Sequence, residues 1–170
     1  FYIVDTNIQF LSSKKISFSK NFNLRFAKAS DEIEVKKLAK TVFKHNRFYK
    51  DPKISNKIAS KIKEEWARNF FLGKRGKWMV VAEEDAKIIG FLQLLKKSKN
   101  TIVIDLIATE KKKRGKGLAK EMISFAYEKC LKRNGSIIVG TQIGNVPSIK
   151  LYSKLSFNIF SASYVLHMHK

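Results

Sequence analysis

The sequence predicts a mixed α/β domain in which helices flank one sheet. From Asn23 onward, strand-type segments and helical stripes follow one another in the order β-α-α-β-β-β-α-β-α-β. Three β-rich segments between Trp78 and Ile107 are joined by short polar turns, which predicts an antiparallel meander. No internal repeat or low-complexity tract interrupts this order, which favours a single core.

The first twenty residues are predicted to stand apart from this domain. Phe1–Phe10 alternates loosely between apolar and polar residues, as a strand does, and Ser12–Lys20 is rich in Ser and Lys, as linkers are. The chain begins with Phe rather than Met. We therefore predict that residues 1–20 are the tail of an upstream segment plus a linker, and that residues 21–170 form the domain.

The elements of the domain are predicted from periodicity and from end signals. Ser30 is a good N-cap for a first helix that ends near residues 44–46, and Ile54 to Phe70 form the apolar stripe of a second. Gly135 ends the third predicted helix. The remaining predicted elements are the strands Asn23–Ala27, Trp78–Ala82, Ile88–Leu95, Thr101–Ile107 and Ser136–Gly140, the helices Gly115–Asn134 and Val146–Leu155, and Phe157–His167 as one or two strands.

Charge is the strongest feature of the composition. Lys and Arg number 35 and Asp and Glu 14, which gives a formal net charge of +21. Such an excess predicts anionic partners: nucleic acid, an anionic membrane or a phosphorylated ligand. Lys greatly outnumbers Arg, although bidentate phosphate and guanine recognition favours Arg. We therefore expect most of the excess to be solvated surface, with nucleic-acid binding as an alternative.

Cysteine and histidine usage gives no sign of a cross-link or a metal centre. The single cysteine, Cys130, cannot form an intrachain disulfide or a zinc site of Cys pairs. His167 and His169 are interpreted as strand-end residues, so no metal site is predicted. The chain has no apolar run of membrane-spanning length and no visible signal peptide, which predicts a cytoplasmic location.

A strand, a basic loop and a helix start together suggest anion binding. The loop contains Lys111–Lys113 and leads into Arg114-x-x-Gly117-x-Ala119. Glycines let a phosphate approach the backbone, and free N–H groups at a helix start point toward it. The P-loop pattern is absent, and the dinucleotide pattern fails because residue 120 is Lys rather than Gly.

A second motif follows about 30 residues later. Asn145 precedes Leu151-Tyr152-x-Lys154-Leu155-x-Phe157, with Ser148 and Ser156 near its two ends. Together the two motifs resemble those of the GNAT N-acetyltransferase family over about residues 22–170. Ser156 replaces that family's usual Gly, Ser148 its usual Ala, and Lys111–Lys113 its acidic or prolyl loop residues.

The resemblance implies a mixed, mostly antiparallel sheet in which two parallel strands splay apart around acetyl-CoA as cosubstrate. It implies that Tyr152 protonates the departing thiolate and that Asn145 binds the pantetheine arm. Asp105 and Glu110 are candidates for the general base, with an ion-paired Asp105 as the alternative. The other residues that the resemblance implies for cofactor binding lie at the end of the strand and in the following loop and helix start. They are Ile107, Ala108, Thr109, Arg114, Gly115, Lys116, Gly117, Leu118 and Ala119.

The acceptor is predicted from a closer likeness. Asn46-Arg-Phe-Tyr-Lys-Asp-Pro52, Trp66, Ile104–Ala108 and Gly140–Gln142 resemble the GNAT branch that acetylates nucleotide-linked amino sugars, such as dTDP-fucosamine N-acetyltransferase. This implies transfer to a nucleotide-linked aminodeoxy sugar, with the acceptor bound by Arg47, Phe48 and Tyr49. Acetylation of a protein N-terminus or lysine, and a non-catalytic nucleic-acid-binding module, remain alternatives. The sequence does not indicate an oligomeric state.

Overall fold

Seven strands form one mixed sheet in a computed structural model that describes residues 1–14, 16, 20–43 and 46–169. The strand order is β2-β3-β4-β5-β6-β1-β7. Neighbours pair antiparallel except β5 and β6, which run parallel. The strands are β1 (Tyr2–Ser12), β2 (Asn23–Phe26), β3 (Trp78–Glu84), β4 (Lys87–Ser98), β5 (Thr101–Thr109), β6 (Ser136–Gln142) and β7 (Asn158–His167).

Within the described residues, five α-helices cover the two faces of this sheet. They are α1 (Glu32–Val42), α2 (Arg47–Lys50), α3 (Asn56–Phe71), α4 (Leu118–Cys130) and α5 (Val146–Lys154). One core lies between the sheet and α4 with α5, and a second lies between the sheet and α1 with α3. None of the helices in the described part of the chain is long and apolar enough to cross a membrane.

The predicted fold class and the predicted order of elements from Asn23 are confirmed. The antiparallel meander is β3-β4-β5, and the parallel neighbours are β5 and β6. A short helix, α2, lies within the segment predicted as a loop, because Asn46 caps it by accepting a hydrogen bond from the Phe48 N–H at 2.9 Å. The C-terminal strand is one continuous element rather than two.

The first strand belongs to the sheet. β1 pairs with β6 on one side and with β7 on the other, and Phe10 is completely buried in the core. Alternation at the N-terminus indicated a strand but not its partners, which lie more than 120 residues away along the chain. Part of the predicted linker, residues 15 and 17–19, lies outside the described residues. An origin of residues 1–20 in an upstream segment stays a prediction.

Two backbone conformations change the predicted ends of elements. Gly115 and Gly117 have φ of +76° and +87°, so α4 begins only at Leu118 rather than at residue 115. The same helix ends at Cys130, because Leu131 is already extended. Ser156 has φ of +60°, a left-handed conformation that favours glycine, at the position where the resemblance expected Gly.

A β-bulge at Asp105 reverses which side of the sheet alternate residues of β5 face. Gln93 pairs with Leu106 and Leu94 pairs with Ile104, so Asp105 is the extra residue. Residues two apart on a regular strand face the same side. Here Ile104 packs in the core under α4 and Leu106 in the core under α1 and α3. The bulge therefore separates the two halves of β5.

Candidate active site

A cleft opens where the parallel strands part. β5 and β6 pair from Thr101 and Ser136 as far as Ile104 and Val139, and the pairing ends at the Asp105 bulge. Beyond that point the two strands line a cleft of about 570 Å³. The β5 residues Asp105 to Ile107 form one wall, and the β6 residues Gly140 to Gln142 form the other. The predicted splayed strands are therefore present.

Tyr152 lies on the side of the cleft formed by α5. Its ring is 98% buried between Phe10 and Phe157, with ring centroids 5.7 Å and 5.5 Å away. Burial raises the pKa of the Tyr152 phenol, so it keeps its proton through the neutral range. Within the described residues no hydrogen bond engages its hydroxyl, and the residue lines the cleft. The phenol is thus placed to donate a proton or a hydrogen bond.

Asn145 also lines the cleft but has a structural role at the start of α5. Its side-chain oxygen accepts a hydrogen bond from the Ser148 N–H at 3.4 Å, and its amide donates to Thr141 Oγ1 at 3.1 Å. Asparagine is a favoured N-cap because its short side chain reaches these N–H groups. The side chain is therefore held in a fixed orientation at the cleft wall.

The basic loop, Lys111–Gly117, lies beyond the cleft lining and is largely exposed. Lys113 forms an ion pair with Glu84 at the end of β3, whereas no ion pair within the described chain engages Arg114 or Lys116. Gly117 caps α4 in a left-handed conformation with no side-chain cap. The first N–H groups of α4 therefore face an open, cationic surface, which suits an anion.

Asp105 lies at the opposite side of the cleft, and both of its carboxylate oxygens accept hydrogen bonds. Arg75 forms a bidentate pair with its two oxygens, both at 2.7 Å. Trp66 Nε1 and Gln93 Nε2 donate to Asp105 Oδ2 at 3.0 Å and 2.9 Å. The Asp105 side chain is 6% exposed. A proton acceptor in this position would first have to give up hydrogen bonds, so the geometry matches the ion-paired alternative.

Four cations line the cleft, and one of them, Lys97, belongs to β4. Arg47, Lys63 and Arg75, here called the cation cluster, come from α2, from α3 and from the loop after α3. Burial is the main cause that lowers the pKa of Lys63 to about 8, and the charge of Arg47 adds to it. Burial also lowers the pKa of Arg47, while the hydrogen bonds to Asp105 raise that of Arg75.

Aromatic rings support the cation cluster. The Lys63 ammonium lies 3.9 Å from the ring centroid of Trp66, and the Arg75 guanidinium carbon lies 4.6 Å from the same ring. The Arg47 guanidinium carbon lies 4.7 Å from the Phe48 ring. Cation–π contacts of this kind hold positive charge without neutralising it. The cluster therefore presents positive charge to the cleft.

Several residues predicted for the site lie outside the cleft lining. Ala108 is buried in the second core and Thr109 pairs with Gly90. Phe48 packs against His167, with ring centroids 5.9 Å apart, and the Tyr49 hydroxyl lies 2.5 Å from Ser60 Oγ. Of the acceptor residues predicted from the sequence, Arg47 alone lines the cleft described here. Its two neighbours fix the position of α2 instead.

The cleft also contains residues that sequence reasoning missed. Lys63, Arg75 and two side chains of the first strand, Asn7 and Gln9, all line it. The sequence predicts that the first strand belongs to a tail, so nothing in the sequence links its polar residues to the cleft. Lys63 stands in the polar part of an amphipathic helix, where a lysine is usually solvated. Lys63 lines the cleft only because α3 packs near the bulge of β5.

Comparison with known proteins agrees with this geometry. The family described as "Acetyltransferase (GNAT) family" matches residues 41–157. The chain therefore belongs to the GNAT acetyltransferase family. This confirms the resemblance stated from the motifs, and with it the expected fold, enzyme class and donor, acetyl-CoA.

Individual relatives are more distant. The spore coat polysaccharide biosynthesis protein SpsD of Bacillus subtilis is 30% identical over 86% of this chain, which spans only 50% of that protein. A GNAT-family acetyltransferase of Colwellia psychrerythraea superposes with a TM-score of 0.67 at 11% identity, over 96% of this chain and 56% of its own. A GNAT family acetyltransferase of Brucella melitensis, solved in complex with acetyl-CoA, superposes with a TM-score of 0.50 at 16% identity. This superposition covers 65% of the present chain and 69% of the Brucella chain.

Proposed function

We propose that the protein transfers the acetyl group of acetyl-CoA to the amine of a nucleotide-linked aminodeoxy sugar. The observation that carries the proposal is the cation cluster on one side of the cleft. Asp105 is the one carboxylate among the described residues of the cleft lining, and Arg75 already neutralises it. Arg47 and Lys63 are then available to bind an anionic acceptor, and a nucleotide diphosphate supplies such charge.

The relative with a sugar-related name is consistent with this acceptor class. SpsD is described as a protein of spore coat polysaccharide biosynthesis. Its similarity extends over 86% of this chain. The chain spans half of that protein, so the acceptor of the whole protein is part of the proposal rather than a consequence of the match.

The donor is proposed to lie along the opened edge of β5 and over the start of α4. Past Ile104 the edge of β5 that faced β6 is unpaired, so backbone groups around Ile107 to Thr109 are available to the pantetheine. The basic loop, with Arg114 and Lys116, and the N–H groups at Leu118 and Ala119 would receive the pyrophosphate. Asn145 borders the same arm.

Direct transfer then requires three events. The neutral amine nitrogen attacks the thioester carbonyl carbon, the carbon–sulfur bond breaks, and the thiolate sulfur takes a proton. Tyr152 is proposed to supply that proton, because its phenol is protonated and lines the cleft. The amine gives up its own proton to solvent or to a water-linked base. Asp105 is proposed to position Arg75, with its role as the base left to the test described in the Discussion.

The other functions considered from the sequence fit the cleft less well. A groove for basic peptides would need carboxylates that face the acceptor, and here the acceptor side carries the cation cluster. A nucleic-acid-binding module would show strongly salt-dependent affinity that does not require acetyl-CoA. Acetylation of peptides is one outcome of the turnover experiment, whereas a nucleic-acid-binding module predicts no turnover of either substrate class.

The experiment is a turnover screen with TDP-, UDP- and GDP-linked amino sugars and with basic peptides. We expect turnover of a nucleotide sugar. Arg47→Gln and Lys63→Gln should each raise the acceptor KM about 10-fold, because each removes a charge-assisted contact. The acetyl-CoA KM should stay within about twofold. Lys57→Gln, which removes an exposed charge of α3, is the matched control. Turnover of peptides alone would refute the proposed acceptor.

A further inference from the structure

A cluster of metal-ligand side chains lies outside the cleft. Asp51, His167 and His169 each offer one ligand atom, and these atoms all lie within 4.8 Å of one another. Asp51 follows α2, His167 ends β7, and His169 lies two residues further along. The aspartate and the histidines are 116 and 118 residues apart in sequence, so no local motif indicates the cluster.

The burial of the cluster is graded from one side to the other. The Asp51 side chain is completely buried, whereas the His167 and His169 side chains are 14% and 27% exposed. An ion could therefore enter from the histidine side and meet the carboxylate at the inner end. Charged carboxylates are rarely so buried without strong partners. Asp51 has such partners in Tyr2 and in the two histidines.

The distances require little adjustment for coordination. Asp51 Oδ2 contacts His167 Nδ1 and lies 2.8 Å from His169 Nε2. In tetrahedral coordination with bonds of about 2.1 Å, ligand atoms lie about 3.4 Å apart. A shift of about 0.6 Å would bring the His169 contact to that spacing. The two imidazoles are the partly exposed members of the cluster, and we expect their rotation to provide this shift.

An outer partner for the carboxylate is also present. The Tyr2 hydroxyl donates to Asp51 Oδ1 at 2.6 Å, which leaves Oδ2 directed toward the histidines. The Lys53 N–H donates to Oδ1 at 2.9 Å. Metal-binding carboxylates are commonly oriented by such hydrogen bonds on the oxygen that does not bind the ion. The Tyr2 ring also stacks on His169, with centroids 5.9 Å apart at 15°.

We propose that Asp51, His167 and His169 bind a divalent transition-metal ion of the zinc class. Two imidazoles and one carboxylate suit such an ion better than Mg²⁺ or Ca²⁺, which prefer sets of oxygen ligands. A three-ligand set leaves one position for water on the exposed histidine side. The sequence predicted no metal site, because a single Cys cannot form a zinc site of Cys pairs and because His167 and His169 are interpreted there as strand-end residues.

The role of the ion would be structural. Asp51 directly follows α2, the helix that carries Arg47 of the cation cluster, and Phe48 of that helix packs on His167. An ion held between Asp51 and the end of β7 would tie α2 to the sheet. It would fix the acceptor side of the cleft without contacting the reacting atoms. This inference does not depend on which acceptor is used.

The test is zinc binding by the untagged chain, because a polyhistidine tag would bind the ion itself. Equilibrium dialysis against Zn²⁺ followed by metal analysis should give one ion per chain. Cobalt(II) substitution should give the visible absorption of a four-coordinate site. Asp51→Asn and His167→Gln should abolish both signals. Tyr2→Phe should weaken zinc affinity about 10- to 100-fold, as loss of an outer hydrogen bond does.

Two matched controls separate this site from adventitious binding. Asp85→Asn removes an exposed carboxylate in the β3–β4 turn, and His45→Gln removes the third histidine of the chain. Both variants should bind zinc like the wild type. If Asp51→Asn fails to fold, His169→Gln provides the same comparison at a partly exposed position. A wild-type chain that holds no more zinc than His169→Gln would overturn the proposal, as would loss of binding in His45→Gln.

Discussion

The two sides of the cleft are constructed differently. The proposed donor side uses backbone groups and single side chains from short continuous segments, with Gly117 and Asn145 at two helix starts. The proposed acceptor side uses long charged side chains that α2, α3 and β5 bring together, such as Arg47 and Lys63. Backbone recognition leaves a motif in the sequence. Side-chain recognition across several elements leaves scattered residues, and these become a site only in the folded chain.

The largest expected effect is on the donor side. Tyr152→Phe should lower kcat by about 100-fold or more, because it removes the group proposed to protonate the thiolate. The acetyl-CoA dissociation constant should change little, since the ring and its packing are retained. Steady-state rates combined with equilibrium acetyl-CoA binding measure the two effects separately. Tyr164→Phe, at an exposed position of β7, is the control. A Tyr152→Phe enzyme with near-normal kcat would rule out the acid role.

A double-mutant cycle on the acceptor side tests how Asp105 acts. Asp105→Asn and Arg75→Gln should each lower kcat/KM for the acceptor by about 100-fold. Arg75→Gln leaves the buried Asp105 charge without its partner, and Asp105→Asn removes the bidentate contact that positions the partly exposed Arg75. If Asp105 acts by positioning Arg75, the double variant should be no worse than Arg75→Gln alone. If Asp105 is itself the general base, the double variant should fall well below either single variant. Acceptor kinetics of all four proteins decide between these roles.

Lys63 should show a trade-off between stability and binding. Its ammonium has a pKa near 8 in the folded protein, against 10.5 when solvated. Below pH 8 both states carry the charge, and its burial costs stability. Between pH 8 and 10.5 the folded state loses the proton first, so this cost disappears.

Lys63→Met should therefore stabilise the fold by about 1–3 kcal/mol at pH 7, after allowance for the lost cation–π contacts. The gain should shrink steadily as the pH rises toward 10.5. Chemical denaturation across this range measures it. Lys57→Met, at an exposed position of the same helix, should show no such trend. A gain that does not change with pH would contradict the burial of the Lys63 charge.

On the donor side, a backbone change should matter more than a change of charge. Gly117→Ala should raise the acetyl-CoA KM about 10-fold and destabilise the fold by about 1–2 kcal/mol, since residue 117 is left-handed. Arg114→Gln removes one exposed cation and should raise that KM only about threefold. Acetyl-CoA titrations of both variants give the comparison. The reverse order of effects would show that side-chain charge dominates the donor side.

The smallest expected effect is an increase in the free energy of unfolding. Ser156→Gly should stabilise the fold by about 1 kcal/mol, because Ser156 has φ of +60° and glycine adopts that conformation without strain. Thermal or chemical unfolding measures the change. Ser153→Gly, within α5, should instead destabilise by about 1 kcal/mol, which provides the opposite control. Equal effects of the two substitutions would contradict the assigned backbone conformation.

The fold class and most of the order of elements could be predicted from the sequence, and its motifs predict the donor side. Periodicity located the helices and strands, and Arg114-x-x-Gly117-x-Ala119 with Tyr152 indicated the family. These features are local, because each depends on residues within a turn or two of one another. The predicted helix that started at residue 115 missed its true start, since the conformation of two glycines decides it.

The residues that share the proposed acceptor side are brought together by tertiary contacts. The first strand lies between β6 and β7 and brings Asn7 and Gln9 to the cleft, although in sequence it resembles a tail. The Asp105 bulge turns that carboxylate toward Arg75, where alternation along the strand could not determine its partner. The physical reason is that charges on separate elements interact through space, and their distances are set by packing rather than by position in the chain.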